Sequence, residues 1–298
     1  MVLATAPTSW TEIDTYRQCP HKHQLHYKAG WRPPKTAFPL ARGILWHEIM
    51  DCHYNGVQAT GDVCDPGKGA LGEIIELLNQ HGAKNPKHPD YDLGMACLWM
   101  YHGYRRWSRL EDQGWKIIEV EVKFDVELPN GMQLTGRVDL VIEYKGHLWI
   151  VDHKATTYLP GDKETDLDDQ TPIYIWAMRK LGYDVRGAWV GYTRAKQLAT
   201  RELADKERFK RIPVFRPDYD LETTVAEAAA SISAAYGRDN QHQRHTNPDT
   251  CKWKCPFTEA CIGGRRAPHL EQEILLSLGF KQRGRQLAVV REPVDLTP

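Results

Sequence analysis

No stretch of the 298-residue chain approaches the roughly 20 consecutive apolar residues of a membrane-spanning helix, and the opening MVLATAPTSW has neither the basic start nor the apolar run of a secretory signal. A cytoplasmic protein with no membrane partner is the expectation. Net charge is also missing, because 39 basic side chains balance 39 acidic ones. Whole-molecule electrostatics therefore argue neither for nor against nucleic acid, and only local clusters can do so. Two such clusters, around Lys206 to Arg211 and Lys281 to Arg285, suit a solvated face as well as a binding one. No Gly-x-x-x-x-Gly-Lys-Ser/Thr loop occurs, so no ATP-driven helicase is encoded and any unwinding motor has to come from a partner. Neither an internal repeat nor a Gly/Ser linker divides the sequence, which predicts one domain over 1–298 with a C-terminal extension.

What is present is enough for a sizeable core, with 41% hydrophobic residues. Seven cysteines, an odd number without an export signal, argue against a disulfide framework and for ligation or burial. Cys251, Cys255 and Cys261 fall within eleven residues and lack one ligand for a tetrahedral or cubane site. Cys19 is the candidate for that place. If the ion is zinc, His21, His23 or His245 can stand in for a thiolate. Cys52, Cys64 and Cys97 repeat no ligand spacing.

The first third reads as helical. Ser9 signals a cap for a short helix broken at Pro20, and further helices are expected over 43–54, 71–80 and 91–110. From Trp115 the period falls to two, with turns at Asn130-Gly131 and Lys145-Gly146, which predicts a three-stranded antiparallel meander. A helix follows, with Asp168 or Asp169 as cap, Pro172 in its first turn and Gly182 at its end, and then a fourth strand in VRGAWVGYT. A strand over 211–215 and an Ala-rich helix over 221–238 lead to the late cysteines. The expected class is α/β, with a mixed central sheet and a catalytic core over 43–193.

If Lys145 and Gly146 form a two-residue turn, Tyr144 faces His147, and counting back places Asp139 opposite Asp152. Two carboxylates with Cβ atoms about 5 Å apart repel unless a cation lies between them. Lys154, two residues on, shares their face. Two carboxylates beside an ammonium suit a divalent cation, Mg²⁺ or Mn²⁺, and phosphodiester hydrolysis, in which the lysine orients the nucleophile and stabilises the extra charge of the transition state. His47 on the preceding helix can add an imidazole, although a lone helical histidine equally fits ordinary packing. Gln170 and Tyr174, spaced i, i+4, either reach phosphate or Lys154 or are a packed tyrosine beside an exposed glutamine.

The ordered set His47 in GILWHE, Asp139 in GRVDLVI, Asp152-His153-Lys154 in IVDHKAT, and Gln170 with Tyr174 in QTPIY resembles the motifs of the RecB-like branch of the PD-(D/E)XK nuclease superfamily. The likeness spans about 47–174. It implies a restriction-endonuclease-like core, with His47, Asp139, Asp152 and the His153 backbone carbonyl as metal ligands. It makes Lys154 catalytic and Gln170 and Tyr174 its assistants. Val138 stands where many members of the superfamily carry a proline. The segment SWTEIDTYRQCPHKH resembles the early cysteine segment of iron–sulfur members, AddB and CRISPR-associated Cas-family exonucleases among them. That implies a 4Fe-4S cluster on Cys19, Cys251, Cys255 and Cys261, joining 1–30 to 240–270, with Zn²⁺ as the alternative. The late cysteines here are separated by three and five residues, against two and five in those relatives.

A DNA exonuclease working on single strands or duplex ends, with a helicase or recombination partner, is the expected function. The rivals are a catalytically idle DNA-binding accessory protein and a structure-specific endonuclease. Tyr16, Lys22, Lys252, Trp253 and Lys254 beside the cysteines, with Arg42 and Arg137 beside the catalytic motifs, are the candidate DNA contacts.

Overall fold

A computed structural model describes residues 7–195, 203–237, 243–245 and 247–283. Its elements begin with α1 (Trp10–Gln18), α2 (Pro20–His23), a π-helical turn (Gln24–Lys28) and β1 (Trp31–Arg32). Three longer helices follow, α3 (Phe38–Thr60), α4 (Gly67–Gln80) and α5 (Tyr91–Glu111). Strands β2 (Lys116–Glu127), β3 (Gln133–Tyr144) and β4 (His147–Thr156) come next, then α6 (Asp162–Asp166), α7 (Gln170–Lys180) and β5 (Val185–Arg194). The chain continues through α8 (Asp205–Arg208), β6 (Phe209–Val214) and α9 (Asp218–Tyr236). Last come α10 (Pro248–Lys254), α11 (Thr258–Arg266), α12 (Leu270–Ser277) and β7 (Lys281–Gln282). No described helix is long and apolar enough to cross a membrane.

The chain divides into two compact units, one of 1–35, 127–135 and 226–298, the other of 36–126 and 136–225. The second unit carries the mixed sheet, in the order β2-β3-β4-β5-β6. Strands β2, β3 and β4 are neighbours in chain order, as their period predicts. The β3–β4 turn is the expected two-residue one: Lys145 and Gly146 both take left-handed φ, 52° and 74°, as a type I′ turn requires. The antiparallel ladder then runs from Tyr144↔His147 to Leu140↔Val151. Strand β5 pairs parallel to β4 after the crossover through α6 and α7, and β6 pairs antiparallel to β5. This is the mixed α/β class expected. Helix α3 packs one face on the sheet, and Leu45, Trp46, Ile49 and Met50 enter a core with Leu140, Ile142 and Val151. That helix is longer at both ends than the 43–54 segment its apolar spacing marks, and it stops at Gly61, whose φ of 69° is left-handed.

In the first unit, Ser9 caps α1 by accepting from the Glu12 N–H. The break expected at Pro20 is present, since α1 ends at Gln18. Only Cys19 is extended, and Pro20 opens α2 at a position where its missing N–H has no helical partner to lose. Leu25, Trp31, Phe257, Ala260, Leu275 and Phe280 form a separate small core in this unit.

Candidate active site

The second unit brings His47, Asp139, Asp152, Lys154, Gln170 and Tyr174 around one cavity of about 630 Å³. Helix α3 supplies the histidine, β3 and β4 the two aspartates and the lysine, and the first turns of α7 the last pair. His47 Nδ1 and Asp139 Oδ1 share a hydrogen bond of 3.1 Å, and Asp139 Oδ2 accepts from the His153 backbone N–H at 2.7 Å. The two carboxylates are mostly covered, with side chains 13% exposed for Asp152 and 10% for Asp139. Asp152 Oδ2 is buried without a well-formed hydrogen bond and is compensated by the Lys154 ammonium 3.0 Å away.

Lys154 is held from three sides. Besides Asp152 it meets Asp168 Oδ2 at 3.5 Å and donates to Gln170 Oε1 at 2.7 Å. Burial alone disfavours its charge, but the two carboxylates outweigh that and raise its pKa, so it is an ammonium at any physiological pH. His47 follows the same logic. Burial opposes its protonation, and the Asp139 hydrogen bond with the charges of Asp139 and Asp152 more than offsets it, so its pKa rises. The Tyr174 hydroxyl, pushed up to about 12 chiefly by burial, stays protonated beside Gln170, and its ring packs edge-on against Phe124. Phe124 has room to do so because residue 136 is glycine: a Cβ there would lie 2.3 Å from the Phe124 ring.

His153 points to the opposite face of β4 from Asp152 and Lys154, as strand alternation requires. It is buried, stacks on Tyr54 at 5.3 Å, and is held neutral by burial and by Arg211. Below it lies a polar layer. Arg211 pairs with Asp112 at 2.5 Å between the rings of Trp107 and Trp115, and Asp112 accepts from Tyr54.

Two residues that line the cavity, Asp51 and Glu121, and one beside it, Asp168, escape a motif-based reading. Asp168 reads as a helix cap, and it does accept from the Gln170 backbone N–H, but its other oxygen meets Lys154. Asp51 lies one turn after His47 on α3, at the i, i+4 spacing that could have drawn notice. Glu121 also lines the cavity, paired with Arg137, and its pKa is pushed up to about 7 by burial and then by Asp139. Nothing in the alternation of β2 announces it.

Of the candidate DNA contacts in this unit, Arg137 is half-exposed on the cavity wall, whereas Arg42 is buried beside the Phe38 ring. In the first unit, Tyr16 and Lys22 are partly buried and Lys252 is exposed. The side chains of Trp253 and Lys254 lie outside the described residues. Cys19, Cys251, Cys255 and Cys261 are all unpaired and partly exposed. Burial raises the Cys255 and Cys261 thiols, Cys19 adds to both shifts, and the cations Lys22 and Arg244 oppose them. Cys19 is therefore within electrostatic reach of both late cysteines. Cys97 is buried in the core of the second unit, and Cys52 packs against that core.

Among the described residues, no three His, Cys, Asp or Glu side chains stand close enough to hold a metal ion without adjustment. The donor chemistry at the cavity nonetheless fits a hard divalent cation: an imidazole and two carboxylates line it, and Asp152 Oδ2 is buried without a well-formed hydrogen bond.

The family model for the PD-(D/E)XK nuclease superfamily matches residues 7–262. No curated protein matches the sequence at a significant level. Two solved structures show a loose likeness. SSO0001 has a TM-score of 0.36 and 15% identity over 87% of each chain. LHK-Exo in complex with dAMP has a TM-score of 0.27 and 16% identity over 63% of this chain and 92% of that one.

Proposed function

We propose, from the premise that this chain belongs to the PD-(D/E)XK nuclease superfamily, that it is a metal-dependent DNA exonuclease of the RecB-like kind, acting on single strands or duplex ends. Nucleases of this superfamily act on DNA and typically use Mg²⁺ or Mn²⁺. The observation that carries the reading is the charge arrangement in the cavity: Lys154 held as an ammonium between Asp152, Asp168 and Gln170, beside Asp139 and His47.

His47, Asp139, Asp152 and the His153 carbonyl would hold the cation, which supplies a more acidic bound water and charge neutralisation at phosphate. The residues of the chain do the rest. Lys154, whose three N–H donors face Asp152, Asp168 and Gln170, stabilises by its charge the oxyanion that forms as the P–O bond breaks, and meets the attacking water or a non-bridging phosphate oxygen by exchanging its long 3.5 Å contact with Asp168. Gln170 fixes the direction of that ammonium. Tyr174, protonated, offers a hydroxyl at the same wall. The neutral, stacked His153 ring keeps its backbone N–H on Asp139 and so fixes the carboxylate.

In the first unit, Cys19, Cys251, Cys255 and Cys261 are the proposed ligands of a 4Fe-4S cluster. Support comes from the close spacing of the three late cysteines and from the electrostatic reach of Cys19 to two of them. Anaerobically purified protein should be brown with about four irons per chain. A colourless preparation with one zinc would replace the cluster by a zinc site. Because no P-loop occurs in these 298 residues, a helicase or recombination partner is proposed to supply unwound ends.

Digestion of DNA labelled at one end or internally, single- and double-stranded, with Mn²⁺ tests the exonuclease assignment. Mononucleotides or short oligonucleotides released from an end, with closed circles resistant, are expected. Cutting of closed circular single strands would make it an endonuclease instead.

A further inference from the structure

Strand β2 contains a fault that the catalytic reading leaves unexplained. Its burial alternates in two phases. Ile117 faces the core at an odd position, whereas Val122, Phe124 and Val126 do so at even ones. The slip falls at Glu121, which has a left-handed backbone, φ 57°. This is the signature of a β-bulge, in which one extra residue shifts the phase and re-aims a side chain. Glycine is the residue that adopts such a φ without steric penalty, so a glutamate there is kept against the backbone's preference.

We infer that this bulge positions a phosphate-binding arginine: Glu121 is the residue that holds the Arg137 guanidinium at the cavity wall, and Arg137 receives a backbone phosphate of the DNA strand. The inference rests on the nuclease reading above. The Glu121 side chain is 15% exposed and its Oε2 pairs with Arg137 Nε, while the Arg137 side chain remains 52% exposed. Both residues line the cavity that holds Asp139, Asp152 and Lys154. A guanidinium has five N–H donors in a planar fork. Tying Nε to a carboxylate fixes the plane and leaves the terminal nitrogens to meet two oxygens of one phosphate, a geometry that lysine cannot reproduce. Asp51 and Asp139 share this neighbourhood: burial raises the Asp51 pKa, the Arg137 charge opposes that rise and Asp139 adds to it. Without Glu121 the guanidinium would be drawn toward these other carboxylates rather than held for substrate.

The test uses the full-length protein with E121G, E121Q, R137Q, R137K and the E121Q/R137Q double variant. Melting temperature, affinity for a single-stranded oligonucleotide in EDTA, and kcat and KM with Mn²⁺ are measured for each. E121G relieves the backbone and should melt no lower than wild type, yet it should raise KM about tenfold with kcat changed little, the mark of lost substrate binding. R137Q and R137K should do the same, and R137Q should reduce the salt dependence of binding by about one released ion. The double variant should be no worse than R137Q alone, because the two residues act as one unit. Additive losses in the double variant, or a wild-type KM in E121G, overturn the inference. So does a shift of the half-activating Mn²⁺ concentration in E121Q but not R137Q, which would make Glu121 a metal ligand. Binding in EDTA separates this failure from that of the nuclease reading: a wild type that binds DNA but never cuts it contradicts the latter, while the R137Q binding loss remains measurable.

Discussion

Lys154 shows how much of a buried lysine's behaviour is set by its neighbours. An exposed lysine would be charged but undirected. Here two carboxylates preserve the charge against burial and Gln170 fixes the direction. Substituting Lys154 by Met should lower kcat by about a thousandfold or more with the fold retained, while Gln170→Ala, which releases the ammonium without removing it, should cost about ten- to a hundredfold. Circular dichroism beside single-turnover rates checks both. A second residue-scale effect concerns His53, whose ring is buried and whose pKa burial lowers to about 3. In the unfolded chain it titrates near 6.5. A folded pKa depressed in this way contributes stability that is complete above 6.5 and is lost as pH falls toward 3. Between pH 7 and pH 5 the loss amounts to about 2 kcal/mol. His53→Gln, which keeps an acceptor for Tyr101, should shrink the difference in urea-unfolding free energy between those pH values by about that much. An unchanged pH dependence would show that the ring is not held neutral by the fold.

Among the elements, the β3–β4 hairpin was the most legible part of the chain, because one turn fixes its register. Lys145-Gly146 dictates a two-residue loop, the loop dictates Tyr144↔His147, and Asp139, Asp152 and Lys154 follow by counting. Helix α7 was legible for a similar reason, with Asp168 accepting from its first backbone N–H and Gly182 after its end. Strand β2 was not. A bulge changes the phase without a glycine or proline to mark it, so Glu121 reads as one more polar residue in an alternating strand. The layer under β4 was equally hidden, since Asp112 and Arg211 are 99 residues apart and each looks like an ordinary surface charge. Their pair is fully buried and joins α5, β6 and, through Tyr54, α3. Removing one partner leaves a buried charge alone, so Asp112→Ala should destabilise by about 3–5 kcal/mol, and Asp112→Leu combined with Arg211→Met by much less. Urea denaturation of the three proteins decides it; equal losses in both variants would mean that packing rather than charge sets the cost.

At the scale of the whole molecule, charge neutrality is informative. With 39 positive and 39 negative side chains, attraction to DNA has to be local, and its proposed source is Lys154 and Arg137, which line the cavity among carboxylates that a divalent cation would neutralise. The proposed catalytic residues and the four proposed cluster cysteines, Cys19, Cys251, Cys255 and Cys261, fall in different compact units, so each proposed site can be removed by substitutions within its own unit. The division itself was not legible, because 127–135 belongs with the chain ends rather than with the strands it connects, and no linker composition marks that boundary. The family match over 7–262 and the arrangement around Lys154 support one chemistry, hydrolysis of the DNA backbone. The most direct measurement is Mn²⁺-dependent release of nucleotides from labelled DNA by wild type and by Asp152→Asn, purified side by side. Wild type should degrade the substrate with Mn²⁺ and stop on chelation, and Asp152→Asn, folded to the same melting temperature within a few degrees, should release nothing above background. Equal degradation by both proteins would contradict the assignment of this cavity as the nuclease centre.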